Sequence, residues 1–270
     1  MARPRTRGPR SRGPLDPGPD AREAALAARW RRLRDGLPSL LYLLGCAVVV
    51  LAVLATVGWV LSRVVHDDGI GRADASLSRF LAARRSAGLN DLTVFTSEVG
   101  GTLAITAVAV IAVAVMAVAW RRWREPMLVV AAVAGEVVIF LGVTMLVDRE
   151  RPPVPHLDEA PPTSSFPSGH TAASIALYGA LAVVASERAR SVLARRLFVT
   201  LAVLLPLLVA ASRMYRGMHF LTDVLGGVLL GSVWLLACVS AIRLGVLHYQ
   251  LRHEAGGLGR LWRGSVVRHG

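Results

Sequence analysis

SRMYRGMHFLTDVLGGVLLGSVWLLACVSAI, residues 212–242, joins a short polar segment to an apolar run of membrane-spanning length. A bilayer core about 30 Å thick needs roughly 20 apolar residues of helix, and 221–242 supplies them. Asp223 lies just inside that run, where an acid is costly unless paired, and its neighbour one turn back is His219. The stretch therefore predicts a membrane helix with chemistry at its first turn. Working outward, the runs 40–61, 99–120 and 127–147 are equally long, while 171–185 and 197–211 hold about 15 strongly apolar residues each. The two shorter runs count as spans because they lie between long ones and are joined by an Arg-rich turn. The expected fold class is all-α, a six-transmembrane-helix bundle, with Pro206 kinking the fifth span.

Composition agrees. Of 270 residues, 54% are hydrophobic and the mean hydropathy is +0.51, yet the formal charge is +13. A disordered polycation lacks such apolar content, and a nucleic-acid binder concentrates its charge on a soluble domain, so no nucleic-acid partner is expected. All 31 basic residues are Arg, and 22 of them fall in the termini and in the turns around 121–124 and 188–196. Because basic loops stay cytoplasmic, both termini are expected inside a multi-pass cell-membrane protein, with loops 62–98, 148–170 and 212–220 facing outward. Residues 1–37, rich in Arg, Pro and Gly, read as a disordered cytoplasmic arm, 38–245 as the six-span domain and 246–270 as a basic tail. The first run is too long for a signal-peptide core and is expected to remain as an anchor. Leu77, Phe80 and Leu81 among charged neighbours predict a short amphipathic helix on the outer interface. Cys46 and Cys238 lie in apolar runs and suggest neither a disulfide framework nor a metal site. Gly227 and Gly231 form a small-residue pair expected to pack helices within one chain.

The polar residues gather in two outward stretches. Arg151 and Arg213 offer fork-shaped donors suited to phosphoryl oxygens. Ser168 and Gly169 precede the fourth span, whose free N–H groups and positive dipole end favour an anion. His219 and Asp223, at i and i+4, let the carboxylate accept from one imidazole nitrogen and present the other as a nucleophile. His170 brings a second imidazole.

Arg151-Pro152, Pro167-Ser168-Gly169-His170 and Ser212-Arg213 with His219 and Asp223 resemble the three-part signature of the type 2 phosphatidic acid phosphatase (PAP2) family, which shares its site with the vanadium haloperoxidases. The resemblance covers roughly residues 90–240 and implies a PAP2/haloperoxidase-like core. It implies a metal-independent phosphatase without cofactors, in which His219 forms a phosphohistidine and His170 protonates the leaving oxygen and then activates water. Arg151, Arg213 and the Ser168 and Gly169 amides would hold the phosphoryl group. The family's first part usually opens with Lys seven residues before the Arg of the Arg-Pro pair, where this chain has Thr144. Arg149 is expected to supply the missing charge, with Arg216 as a second source. The implied substrate is a lipid phosphate of the bilayer: undecaprenyl or another polyprenyl diphosphate, favoured here, phosphatidic acid or phosphatidylglycerol phosphate. The alternative is a catalytically weakened lipid-phosphate binding or transport protein. Six spans count against a soluble haloperoxidase. Glu136, inside the third span, is left as a buried hydrogen bond, a substrate contact or an oligomer contact, and the oligomeric state is open.

Overall fold

The computed structural model describes the backbone of residues 19–65, 68–120 and 123–266, and the side chains of Glu23 and of residues 36–65, 68–120 and 123–245. Among the described residues the elements are all helices: α1 (Pro19–Arg63), α2 (Gly69–Ala82), α3 (Ala87–Val99), α4 (Thr102–Trp120), α5 (Arg124–Leu146), α6 (Gly169–Arg188), α7 (Val192–Tyr215) and α8 (Leu221–Val266). Six are long and apolar enough to cross a membrane: Gly36–Arg63 within α1, then α4, α5, α6 and α7, and Leu221–Gly245 within α8. Leu103, Val118, Met145 and Leu193 are almost fully exposed, which suits lipid contact and not water. Ser39–Leu247 forms one compact unit.

The two short apolar runs belong to helices of 20 and 24 residues. A lower apolar content suffices in α6 because it runs through the bundle interior, with Ala172, Ala176, Leu177 and Ala180 fully buried. Its small side chains let neighbours approach closely, as membrane helix packing favours. On α8, a Cβ at Gly227 would meet the Ser168 carbonyl and one at Gly231 the Ala172 carbonyl, so this pair seats α8 on α6 within the chain. The Trp234 indole N–H donates to the Ala131 carbonyl at 3.0 Å and ties α8 to α5. Pro206 is buried within α7, which continues to Tyr215.

Two expectations are corrected. Residues 19–37, predicted as part of a disordered arm, are helical and run into the first span; residues 1–18 lie outside the described residues. Loop 62–98 carries two helices instead of one, and the Ser86 hydroxyl starts the second by accepting from the Leu89 amide at 3.4 Å. The inward face of α2 is polar, with Asp74 and Ser78 buried, while Phe80 is exposed. Lipid takes the apolar side of such a helix, so its polar side turns to the protein.

Candidate active site

The loop between α5 and α6 and the turn between α7 and α8 meet at the ends of their helices. Phe166, fully buried, fits between Gly58 of α1 and Gly226 of α8, anchoring the chain just ahead of Pro167-Ser168-Gly169-His170. The α7–α8 turn contains Gly217 at φ +79°, where L side chains are strained and where a Cβ would also meet the Arg85 guanidinium and Val154. Arg85 donates to the Tyr215 carbonyl at 3.0 and 3.2 Å and to the Pro155 carbonyl at 2.7 Å, pinning both segments to the α2–α3 connection.

These segments close over a cavity of about 840 Å³ lined by His170, His219, Arg151, Arg213 and Gly169, and extending between α4 and α5. The sequence reading placed all five in the site, and the structure brings them together. His219 donates its Nδ1–H to the Ser165 carbonyl at 2.8 Å. A carbonyl can only accept, so the proton sits on Nδ1 and the Nε2 lone pair is free. Burial pushes the His219 imidazole below its usual range, against the opposing pull of Asp223. Arg213 gives Nη1 to Ser97 Oγ at 2.9 Å and to Asp158 Oδ2 at 2.7 Å, while its Nε has no hydrogen-bond partner. The Arg213 guanidinium forms part of the cavity wall, where it suits a phosphoryl group. Arg151 is fixed by its Nη1 bond to the Met218 carbonyl at 2.8 Å.

The other assignments change. Asp223 does not bond His219: Oδ2 lies 3.8 Å from Nδ1. It accepts instead from the Phe220 amide at 2.8 Å, from Ser165 Oγ at 3.0 Å and from Arg149. Asp223 therefore acts on His219 through Ser165, whose carbonyl holds the ring, and through its own charge. Ser168 is removed from the phosphate cradle, because its N–H donates to the Asp223 carbonyl at 2.9 Å and its side chain bonds Thr171. Arg149 is removed as well. It does not line the cavity; behind Asp223 it bridges to Asp74 Oδ2 at 3.1 Å and to Thr222 Oγ1 at 2.7 Å, with its guanidinium over the Phe220 ring. Arg216 faces Asp158, donating Nε at 2.8 and 2.9 Å. Burial pushes the Asp158 carboxyl up, but the bonds and charges of Arg216 and Arg213 outweigh it and hold it below the usual carboxylate range.

Neither expected substitute lines the cavity, and Thr144 itself donates to the Leu141 carbonyl at 3.0 Å. Among the described residues, two guanidinium groups, Arg151 and Arg213, line the cavity. Position 144 continues the α5 face of Val137, Phe140 and Leu141 that forms one wall. Thr144→Lys is accordingly expected to raise kcat/KM for a lipid phosphate by about tenfold, the worth of one charge-assisted hydrogen bond. Steady-state rates of the purified variant measure this, and an unchanged rate would show that two guanidinium groups suffice. Asp74, Ser97, Asp158 and Ser165 escaped the sequence reading as parts of the site.

Six spans around a cavity lined by two histidines and two guanidinium groups define an integral membrane protein suited to phosphoryl chemistry. The chain belongs to the PAP2 superfamily, whose family profile matches residues 103–244, and is thus a membrane lipid phosphatase, a phosphoester hydrolase by family. It is similar to phosphatidylglycerophosphatase B of Bacillus subtilis (strain 168), with 26% identity over 174 residues that cover 64% of this chain and 84% of the relative. Its fold matches the crystal structure of a transmembrane PAP2-type phosphatidylglycerolphosphate phosphatase from Bacillus subtilis, at a TM-score of 0.62 and 22% identity, covering 76% of this chain and 94% of the other.

Proposed function

We propose that the protein hydrolyses the terminal phosphate of a bilayer lipid, through a phosphohistidine on His219, at the outer membrane face. The observation that carries this reading is the His219 Nδ1–H bond to the Ser165 carbonyl, which leaves Nε2 as a lone pair in a cavity shared with His170, Arg151 and Arg213. That lone pair forms the N–P bond as the bond from phosphorus to the lipid oxygen breaks, and His170, as imidazolium, gives the leaving oxygen its proton. Neutral His170 then takes a proton from water, whose oxygen attacks phosphorus; the N–P bond breaks and inorganic phosphate leaves. Arg151, Arg213 and the first-turn amide of Gly169 stabilise the oxygens as charge builds. Phosphorylated His219 carries positive charge, which Asp223 offsets from 3.8 Å.

The cavity's extension between α4 and α5 gives a lipid tail a path while the head group reaches the histidines. The distribution of Arg supports cytoplasmic termini and an outward site. We rank phosphatidylglycerophosphate ahead of the polyprenyl diphosphate favoured by sequence alone, a ranking that similarity to phosphatidylglycerophosphatase B supports. The test is phosphate release by the purified chain in detergent with EDTA, using phosphatidylglycerophosphate, phosphatidic acid and undecaprenyl diphosphate. Release from at least one is expected, with inhibition by vanadate, which mimics the five-coordinate transition state. No release would favour the binding or transport reading, which the lack of a third cavity cation keeps specific.

A further inference from the structure

Beneath the phosphoryl site the same cavity contains a group that the chemistry above does not use. Glu136 is 1% exposed, lines the cavity with both histidines, and its Oε1 has no hydrogen-bond partner. An unpaired acid in the middle of a membrane span is costly, and such residues mark a ligand or a pathway. Its depth follows from packing. Phe140 of α5 lies against Gly169, the first residue of α6, and Glu136 is one turn below Phe140, about 6 Å at 1.5 Å per residue. Glu136 is thus about one helical turn beneath His170. Across the cavity, α4 contributes Thr102 and Thr106, also with side chains able to accept, while the cations Arg151 and Arg213 remain at the phosphoryl end.

We infer that Glu136, with Thr106 opposite, forms a subsite for a hydroxyl group carried by the lipid a few bonds from its phosphate. A hydroxyl both donates and accepts, so it satisfies a carboxyl in either protonation state, and among the described residues no cation lines the cavity at that depth to offer an ester or phosphodiester oxygen a charged donor. The inference rests on the phosphatase reading and deepens it: substrates with a free glycerol hydroxyl near the phosphate are selected over those without one. The hydroxyl has two sources, the head-group glycerol of phosphatidylglycerophosphate and the acyl-free carbon of lysophosphatidic acid. Phosphatidic acid and undecaprenyl monophosphate have neither.

The experiment compares kcat/KM of the wild type, Glu136→Ala and Glu136→Gln on these four lipids, each protein first shown to be monodisperse in detergent. Glu136→Ala is expected to lose about tenfold on one or both hydroxyl lipids, through KM, with little change on the other two; which hydroxyl lipid loses identifies the source. Glu136→Gln, which keeps an acceptor and a donor, is expected to retain the selectivity. Equal losses on all four lipids, or no loss on any, overturn the subsite and leave the phosphatase standing. Absence of phosphate release by the wild type from these four and from undecaprenyl diphosphate overturns both.

Discussion

Replacing His219 with alanine is expected to lower phosphate release by about 10⁴-fold or more, the scale seen when a covalent nucleophile is removed. Affinity for a non-hydrolysable lipid phosphonate should stay near wild type, because Arg151 and Arg213 are fixed by Met218, Ser97 and Asp158 and not by the imidazole. Release that survives the substitution would sink the phosphohistidine route. The same residue sets a pH dependence. His219 attacks only when neutral, and burial lowers its pKa from the ordinary value. Fewer protons bind at a given pH, so the acid limb of kcat/KM attributable to His219 is expected below about 6.5, the value of an unperturbed imidazole. Charges of Asp223, Arg213, Arg151 and His170 all act on this ring, and removing Asp223 should move that limb lower still, since a nearby negative charge favours imidazolium. A pH–rate profile of Asp223→Asn measures the shift, and a limb that moves upward would contradict it.

The spans were legible because lipid imposes one requirement, an apolar run of about 20 residues with internally satisfied backbone, that any sequence must meet openly. The pairing of imidazole and guanidinium groups was legible from motif spacing. What spacing could not show is where a carboxylate turns. His219 and Asp223 are one turn apart, yet Asp223 faces the Phe220 amide, Ser165 and Arg149. Arg149 finds its second acid 75 positions away in α2, and Arg213 meets Asp158 across 55. One signal for Asp74 was present. With Ser78 four residues on, it makes a polar stripe along α2, and in a membrane-surface helix the polar stripe turns to protein once lipid takes the apolar one. Residues 19–37 were read together with the Arg- and Pro-rich stretch that precedes them, although Ala24-Ala25-Leu26-Ala27-Ala28 are strong helix formers.

Arg149→Met separates the phosphate-binding role expected from sequence from the supporting role seen in the structure. A guanidinium that only held phosphate would, when removed, raise KM and leave the empty protein as stable or more so, through lower repulsion with Arg151 and Arg213. Arg149 instead sits between Asp74 and Asp223, at 6%, 4% and 0% exposure. Its removal leaves two buried carboxylates facing each other across the gap, and breaking such a pairing costs about 3–5 kcal/mol. The expected result is a markedly lower unfolding midpoint in detergent together with a fall in kcat, because Asp223 no longer holds Ser165 and its carbonyl against His219. Adding Asp74→Asn to Arg149→Met removes one orphaned charge and should recover part of the lost stability. Asp74→Asn alone keeps the Arg149–Asp223 pair and loses only the strength of charge-assisted bonds to Arg149 and Thr222, about 1–3 kcal/mol. Stability should therefore fall in the order wild type, Asp74→Asn, the double variant, Arg149→Met. The double variant lies above Arg149→Met only if the two positions are coupled. A double variant less stable than Arg149→Met would mean that Asp74 contributes independently of Arg149, and would overturn the coupled Asp74–Arg149–Asp223 support.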